Sequence, residues 1–340
     1  NKYTTFGQSH NMKLAIIGCT GLVGNEVLNV LSEFEVPIKD LILVASKKNI
    51  GKKVEFKTEK ITIVSILQAI DRTPEIAIFC AGSEVSKKWA QKFVDSGTSV
   101  IDNSSFFRME ENIPLIVPEV NGDILKKANK IIANPNCSTI QMVVALNNIY
   151  NQFGLKRLVI STYQSVSGTG QAAVKQMMDE RLGLKAQRVY PYQIDQNCFP
   201  HGGDFLENGY TTEEMKLIYE TRKIFNDSSI KITATVVRIP VVGGHSESIN
   251  VETHKPFQIQ EIKKTLIDTV GVKVQDNPSK FDYPMPITAH RKNDVFVGRI
   301  RKDETVKNGL NLWIVTDNLR KGAATNAVQI ADYIFKNNLL

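Results

Sequence analysis

The chain has 340 residues, 42% hydrophobic and 23% charged, with 42 Lys and Arg against 35 Asp and Glu for a net charge of +7. That length suits two domains rather than one core, no apolar run approaches the ~18 residues of a membrane span, and Cys19, Cys80, Cys137 and Cys198 stand too far apart for a zinc site. The charge suits anionic small molecules, whereas nucleic acid is not expected without zinc-finger spacing, a basic helix or an arginine-rich block.

The first eleven residues lack the apolar core of a signal peptide and read, with His10, as a lead-in outside the fold. Residues 13–18 (KLAIIG) are a continuous apolar run ended by glycine, as in a buried parallel strand. The next stretch, GLVGNEVLNVLSEF, puts Val23, Val27, Leu28 and Leu31 on one helical face. Strands follow at 41–46, 76–82, 99–104 and 130–134, with a helix over about 84–94. Strand and helix alternating in this way predict a doubly wound, Rossmann-type α/β domain over residues 12–136.

After Cys137 a strong helix, STIQMVVALNNIY, precedes longer, alternating segments at 156–166, 232–241, 248–255, 294–300 and 311–318. Helices are expected at 171–178 and 212–225. Residues 137–319 therefore read as an α+β domain on a mixed, largely antiparallel sheet. A last helix, about 323–335 within the 320–340 segment, returns to pack on the first domain.

Gly18, Gly21 and Gly24 lie between the first strand and the first helix. They suit a tight turn, close approach of a pyrophosphate, and close helix–strand packing. Gly18, Thr20, Gly21, Leu22, Val23 and Gly24 are the candidate cradle, with the helix N-terminus aimed at the anion. The second strand ends in Ala45, Ser46, Lys47 and Lys48 with no carboxylate. That favours NADP over NAD, the alternative being an ordinary basic loop. Ala81 and Gly82 open the next helix and are further cofactor candidates.

In NPNCST (134–139) a proline-forced turn sets Cys137 at the first turn of a helix, where the dipole and N–H groups favour a thiolate. Ser138 and the Cys137 amide are candidate oxyanion donors. The other three cysteines read as inert. In RIPVVGGHSES (238–248) a loop His245 follows two glycines and is the candidate base, and Arg238 suits bidentate carboxylate binding.

NPNCST, YQSVSGTGQAA, EEMKLIYETRKI and RIPVVGGHSES, in this order after GCTGLVG, resemble the aspartate-semialdehyde dehydrogenase family, from about residue 12 to the last helix. The resemblance implies NADPH-dependent conversion of L-aspartyl-4-phosphate to L-aspartate-4-semialdehyde with release of phosphate, on the route to lysine, threonine and methionine. It implies Cys137 as nucleophile, His245 as acid/base and Gln164 as the residue orienting the substrate. Arg238 would hold the substrate carboxylate and Glu220 its amino group. Lys223 and Arg108, with Asn136 beside them, would bind phosphate. Ser167, Gly168 and Asn326 would contact the cofactor. A cytoplasmic homodimer, or a tetramer, without metal or membrane, completes the expectation. The rivals are N-acetyl-gamma-glutamyl-phosphate reductase, which carries Cys-Tyr-Pro where this chain has Cys-Ser-Thr, and a non-catalytic NADP-binding sensor on the same fold.

Overall fold

The computed structural model describes residues 11–34 and 36–340, so His10 and nearly all of the lead-in lie outside the described residues. Unbroken apolar runs make strands that must be covered on both faces. β1 (Met12–Ile17), buried at five of six positions, leads into α1 (Leu22–Glu33), β2 (Ile38–Val44) and a hairpin of β3 (Lys53–Phe56) and β4 (Glu59–Thr62). Then come α2 (Ile66–Asp71), β5 (Ile76–Phe79), α3 (Ser83–Asp95), β6 (Ser99–Asp102), the single turn α4 (Pro118–Asn121) and β7 (Ile131–Ala133). The sheet order is β2-β1-β5-β6-β7, and every pairing is parallel. The order reverses at β1, so the crevice beyond the ends of β1 and β5 is where this architecture receives a ligand.

The second half begins with α5 (Cys137–Phe153) and β8 (Leu155–Gln164), followed by α6 (Gln171–Arg181), α7 (Thr212–Phe225), β9 (Lys231–Arg238) and β10 (His245–Thr253). It continues with α8 (Ile259–Ile267), β11 (Val272–Val274), α9 (Pro286–Ala289), β12 (Val295–Asp303) and β13 (Gly309–Thr316). The sheet order is β11-β12-β13-β10-β8-β9. Its three inner pairs are antiparallel, as the alternating segments predicted, and its two outer pairs, β11–β12 and β8–β9, are parallel. Apolar residues of α5, α7 and α8 share one core with the inner strands.

The chain then returns through a π-helical turn, Arg320–Ala324, into α10 (Thr325–Lys336). Ala327, Val328, Ile330, Ala331 and Ile334 of α10 are buried with β1 and α1, so the last helix does pack on the first sheet. Ion pairs hold the turn in place: Arg320 meets Glu26 and Glu33 of α1, and the fully buried Lys321 meets Glu119. Among the described residues no helix is long and apolar enough to cross a membrane.

Candidate active site

β1 ends at Gly18, held at φ +93°, where a Cβ would lie 2.8 Å from the Cys80 carbonyl oxygen. A Cβ on Gly24 would meet the Gly18 oxygen at 2.1 Å, so α1 starts as close to the turn as a backbone allows. Gly21 caps α1 without a side-chain acceptor, which leaves the helix N–H groups open for an anion. Above this cradle lies a cavity of about 570 Å³ lined by Gly18, Thr20, Gly21, Ala45, Ser46, Lys47 and Ala81, with apolar walls from Ile50, Leu67 and Trp89. No carboxylate lines it. The lining, the bare helix end and the Lys47 ammonium fit a phosphorylated dinucleotide. Gly82, at φ +86°, is the N-cap of α3 just beyond Ala81. Leu22 and Val23 form the first turn of α1 and, with Gly24, do not line this cavity; Val23 lines a second cleft instead.

That cleft, about 240 Å³, gathers Arg108, Asn136, Cys137, Ser167, Gly168, Glu213, Lys216 and Asn318. Its floor is the start of α5. The Asn136 side chain accepts from the Ser138 and Thr139 amides at 2.9 and 3.4 Å, a proper N-cap that places Cys137 at the first helical position. The Ser138 amide is thereby committed to the cap and is not an oxyanion donor. The Ser138 hydroxyl instead accepts from Gln164 Nε2 at 3.0 Å. Cys137 is half-buried. Burial pushes its thiol up to about 12, and Glu213 adds to this, while Arg108 and Arg238 oppose it. Burial thus works against the expected thiolate, and the positive charges and the helix terminus work for it. Burial also pushes Cys19 up, to about 11, and pushes Cys80 up.

His245 belongs to no loop. It is the first residue of β10, fully buried, directly after the predicted glycines. The Ser165 amide donates to its Nδ1 at 3.1 Å, so the neutral ring carries its hydrogen on Nε2, which has no partner. Burial, and then the Arg238 charge, lower its pKa to about 3 against the opposing pull of Glu213. Gly168 separates the ring from the cleft: a Cβ there would sit 2.9 Å from Nε2, so only glycine fits. Arg238 donates from Nη1 to the Ser165 carbonyl at 2.9 Å, lies over the Tyr190 ring, and leaves Nε unpartnered. Three expected site residues thus stand one layer behind the cleft lining, Arg238 and His245 against Gly168 and Gln164 against Ser138.

Arg108 lines the cleft, but its guanidinium is already held by the Asn134 and Asn103 carbonyls and by Glu220, 3.1 Å away. Two expected substrate contacts are corrected. Glu220 is 1% exposed and spends its oxygens on Arg108 and the Asn136 amide. Lys223 donates to the carbonyls of Arg108, Glu110 and Ile113 and does not line the cleft. Their places beside Cys137 are taken by Glu213 and Lys216, two turns earlier on α7, paired at 2.7 Å. Burial pushes the Glu213 carboxyl up, but Lys216, Asn136 and Arg108 together hold it below its ordinary value. Asn326 is also corrected: it is fully enclosed, bonded to the Ile116 carbonyl, Asn134 and Lys321, and reaches the cleft only through Asn134.

The sequence held the signal for Glu213 and Lys216, since EEMKLIYETRK contains the Glu-x-x-Lys spacing twice. Asn318 was missed altogether. Its Oδ1 accepts from Ser165, Ser167 and the Gly244 amide and ties the loops around His245 together. No cluster of metal-ligating side chains occurs among the described residues.

The semialdehyde dehydrogenase NAD binding domain matches residues 13–128, and the semialdehyde dehydrogenase dimerisation domain matches residues 146–321. The aspartate-semialdehyde dehydrogenase of Aquifex aeolicus is 49% identical over 96% of this chain and 99% of its own, and that of Bacillus subtilis 45% identical over 97% and 99%. The crystal structure of aspartate semialdehyde dehydrogenase II from Vibrio cholerae, complexed with ASA, superposes with a TM-score of 0.92 at 43% identity, over 97% of this chain and 99% of that one. With a dinucleotide cradle, a capped cysteine at a helix start and relatives alike over nearly their full length, this chain belongs to the aspartate-semialdehyde dehydrogenase family.

Proposed function

We propose that this protein catalyses the reversible NADPH-dependent reductive dephosphorylation of L-aspartyl-4-phosphate to L-aspartate-4-semialdehyde, through a thioester on Cys137. The observation that carries the reading is Cys137 at the start of α5, in a cleft with Arg108, Glu213 and Lys216 that Val23 also lines, two residues along the chain from Gly21 of the dinucleotide cavity. NADP, held by the Gly18–Gly24 turn, Ser46 and Lys47, supplies the hydride chemistry when bound.

The chain's own residues do the rest. In the phosphorylating direction Cys137 sulfur attacks the aldehyde carbon while the thiol proton passes to the carbonyl oxygen, which gives a neutral hemithioacetal, and a shift of the Gly168 backbone would let the His245 Nε2 hydrogen meet that oxygen. An unpartnered buried donor is what a group kept for the reaction looks like. Arg238 takes the substrate carboxylate and Glu213 its amino group. Pairing with a carboxylate also cancels part of the Arg238 charge that depresses His245, which raises the basicity of the ring once substrate is in place. Lys216 and Arg108 steer phosphate onto the thioester carbonyl, and Cys137 leaves as thiolate. Ser167, Gly168 and Asn134 line the same cleft and would be the residues to hold the nicotinamide, with Asn326 steadying Asn134.

The test is phosphate-dependent NADPH formation from aspartate semialdehyde, with NAD⁺ and an N-acetylglutamyl substrate analogue as controls. Cys137→Ser should lower turnover by at least about a thousandfold while NADPH still binds, and wild-type turnover in that variant would end the proposal. We assign the working enzyme to the cytoplasm, and as a homodimer on the strength of the matched dimerisation domain. Sedimentation at a single-chain mass would overturn the dimer.

A further inference from the structure

Behind Cys137 lies a layer of buried polar side chains that the mechanism above does not use. β10 begins at His245, so Glu247 alternates onto the same face, toward α5. Glu247 is 0% exposed, and its carboxyl oxygens have no well-aligned hydrogen-bond partner, although Gln141 and Ser138 come near enough to lower its pKa. Its cross-strand neighbour is Thr162, whose hydroxyl is likewise buried and unpartnered. Ser138 and Gln141 of α5 are its polar neighbours, and burial outweighs both, holding the carboxyl well above its ordinary value.

A buried acid this weakly partnered costs stability, and a leucine in the same space would not. The fold alone gives no reason for it. Ser138 gives one. Its oxygen accepts from Gln164 Nε2 at 3.0 Å, and its one hydrogen remains free to be donated. We propose that Glu247 is a positioning residue: it receives the Ser138 hydroxyl hydrogen, fixes Ser138 as an acceptor, and so fixes which end of the Gln164 amide is left for the reaction. The proposal rests on the aspartate-semialdehyde reading above.

Glu247→Leu, Glu247→Gln and Ser138→Ala are compared in the NADPH-forming assay and in thermal melts. Glu247→Leu should lower kcat about tenfold, less than the loss of a direct transition-state donor. The KM for the semialdehyde should move less than about threefold, and the melting temperature should hold or rise. Glu247→Gln should stay within about threefold of wild-type kcat, because an amide oxygen still accepts from Ser138. Ser138→Ala should match the leucine variant, with no further loss in the double variant. Wild-type kcat in Glu247→Leu overturns the proposal, as does a glutamine variant no faster than the leucine one, or additive losses in the double variant. If Glu247→Leu does not fold, Ser138→Ala against Glu247→Gln carries the decision: a slow alanine variant beside a fast glutamine variant supports it, and any other pattern overturns it. Turnover by the wild type in the same assay tests the reading itself, so the two can fail separately.

Discussion

At its first turn α7 presents Glu213 and Lys216 to the cleft beside Cys137, while two turns later the same stripe presents Glu220 and Lys223 to protein. Both pairs have Glu-x-x-Lys spacing, and seven residues bring a helix back to nearly the same face. The difference lies along the axis, where seven residues are about 10 Å. At the near end the pair borders a water-accessible cleft and can meet a ligand. At the far end Glu220 neutralises Arg108 and anchors the Asn136 amide, and Lys223 ties down the carbonyls of the 108–113 loop. One pair is available for chemistry, and the other builds the wall that holds Asn136 and Arg108 in place.

The sharpest way to break this comparison is at the two lysines. Lys216→Met should lower kcat/KM for phosphate by about a hundredfold, the loss of a charge-assisted contact to a dianion. Lys223→Met should leave the phosphate KM within about twofold and lower the melting temperature instead. Equal phosphate defects in both would erase the distinction. The glutamates come next. Glu220→Gln strands a buried guanidinium and should cost about 3 kcal/mol in urea unfolding, whereas Glu213→Gln should lower kcat/KM for the semialdehyde with a stability change under about 1 kcal/mol. A destabilised Glu213→Gln with normal kinetics would reverse the two roles.

Smaller effects concern how Glu213 and Arg238 set the charge state of the site. With the Cys137 thiol pushed up to about 12, its alkylation by iodoacetamide in the unliganded enzyme should keep rising past pH 9. A plateau near pH 8 would mean that burial does not control the sulfur. The His245 ring sits at about 3 instead of its ordinary 6.5. The unfolded chain thus binds a proton through pH 6.5 that the folded ring refuses until about pH 3. Its share of stability is whole above pH 6.5 and is lost as pH falls toward 3. His245→Asn should flatten that part of the acid unfolding curve, and identical curves would disprove the depressed pKa. The smallest effect should be Lys47→Ala, raising the KM for NADP by about three- to tenfold while NAD is little affected.

The sequence was most legible where a pattern is local. The apolar runs and helical stripes placed nearly all the long elements, because a strand buried on both faces cannot carry polar side chains. The glycine turn, the capped Cys137 and the last helix packing on the first sheet were legible for the same reason. Short or half-polar elements such as β3, β4 and α8 were not, since tertiary contacts rather than their own pattern hold them.

What the sequence determined alone was the kind of chemistry: a nucleotide turn, one cysteine at a helix start, and the motifs around them. Only the tertiary structure decided which Glu-x-x-Lys pair faces the cleft, that His245 opens a strand and is buried, and that Asn326 is enclosed and bonded to Asn134. It also decided that burial pushes the thiol pKa up and the imidazole pKa down. The physical reason is that residue type and spacing fix a face and a functional group, while depth, desolvation and the charges across a cleft depend on chain segments a hundred or more residues apart.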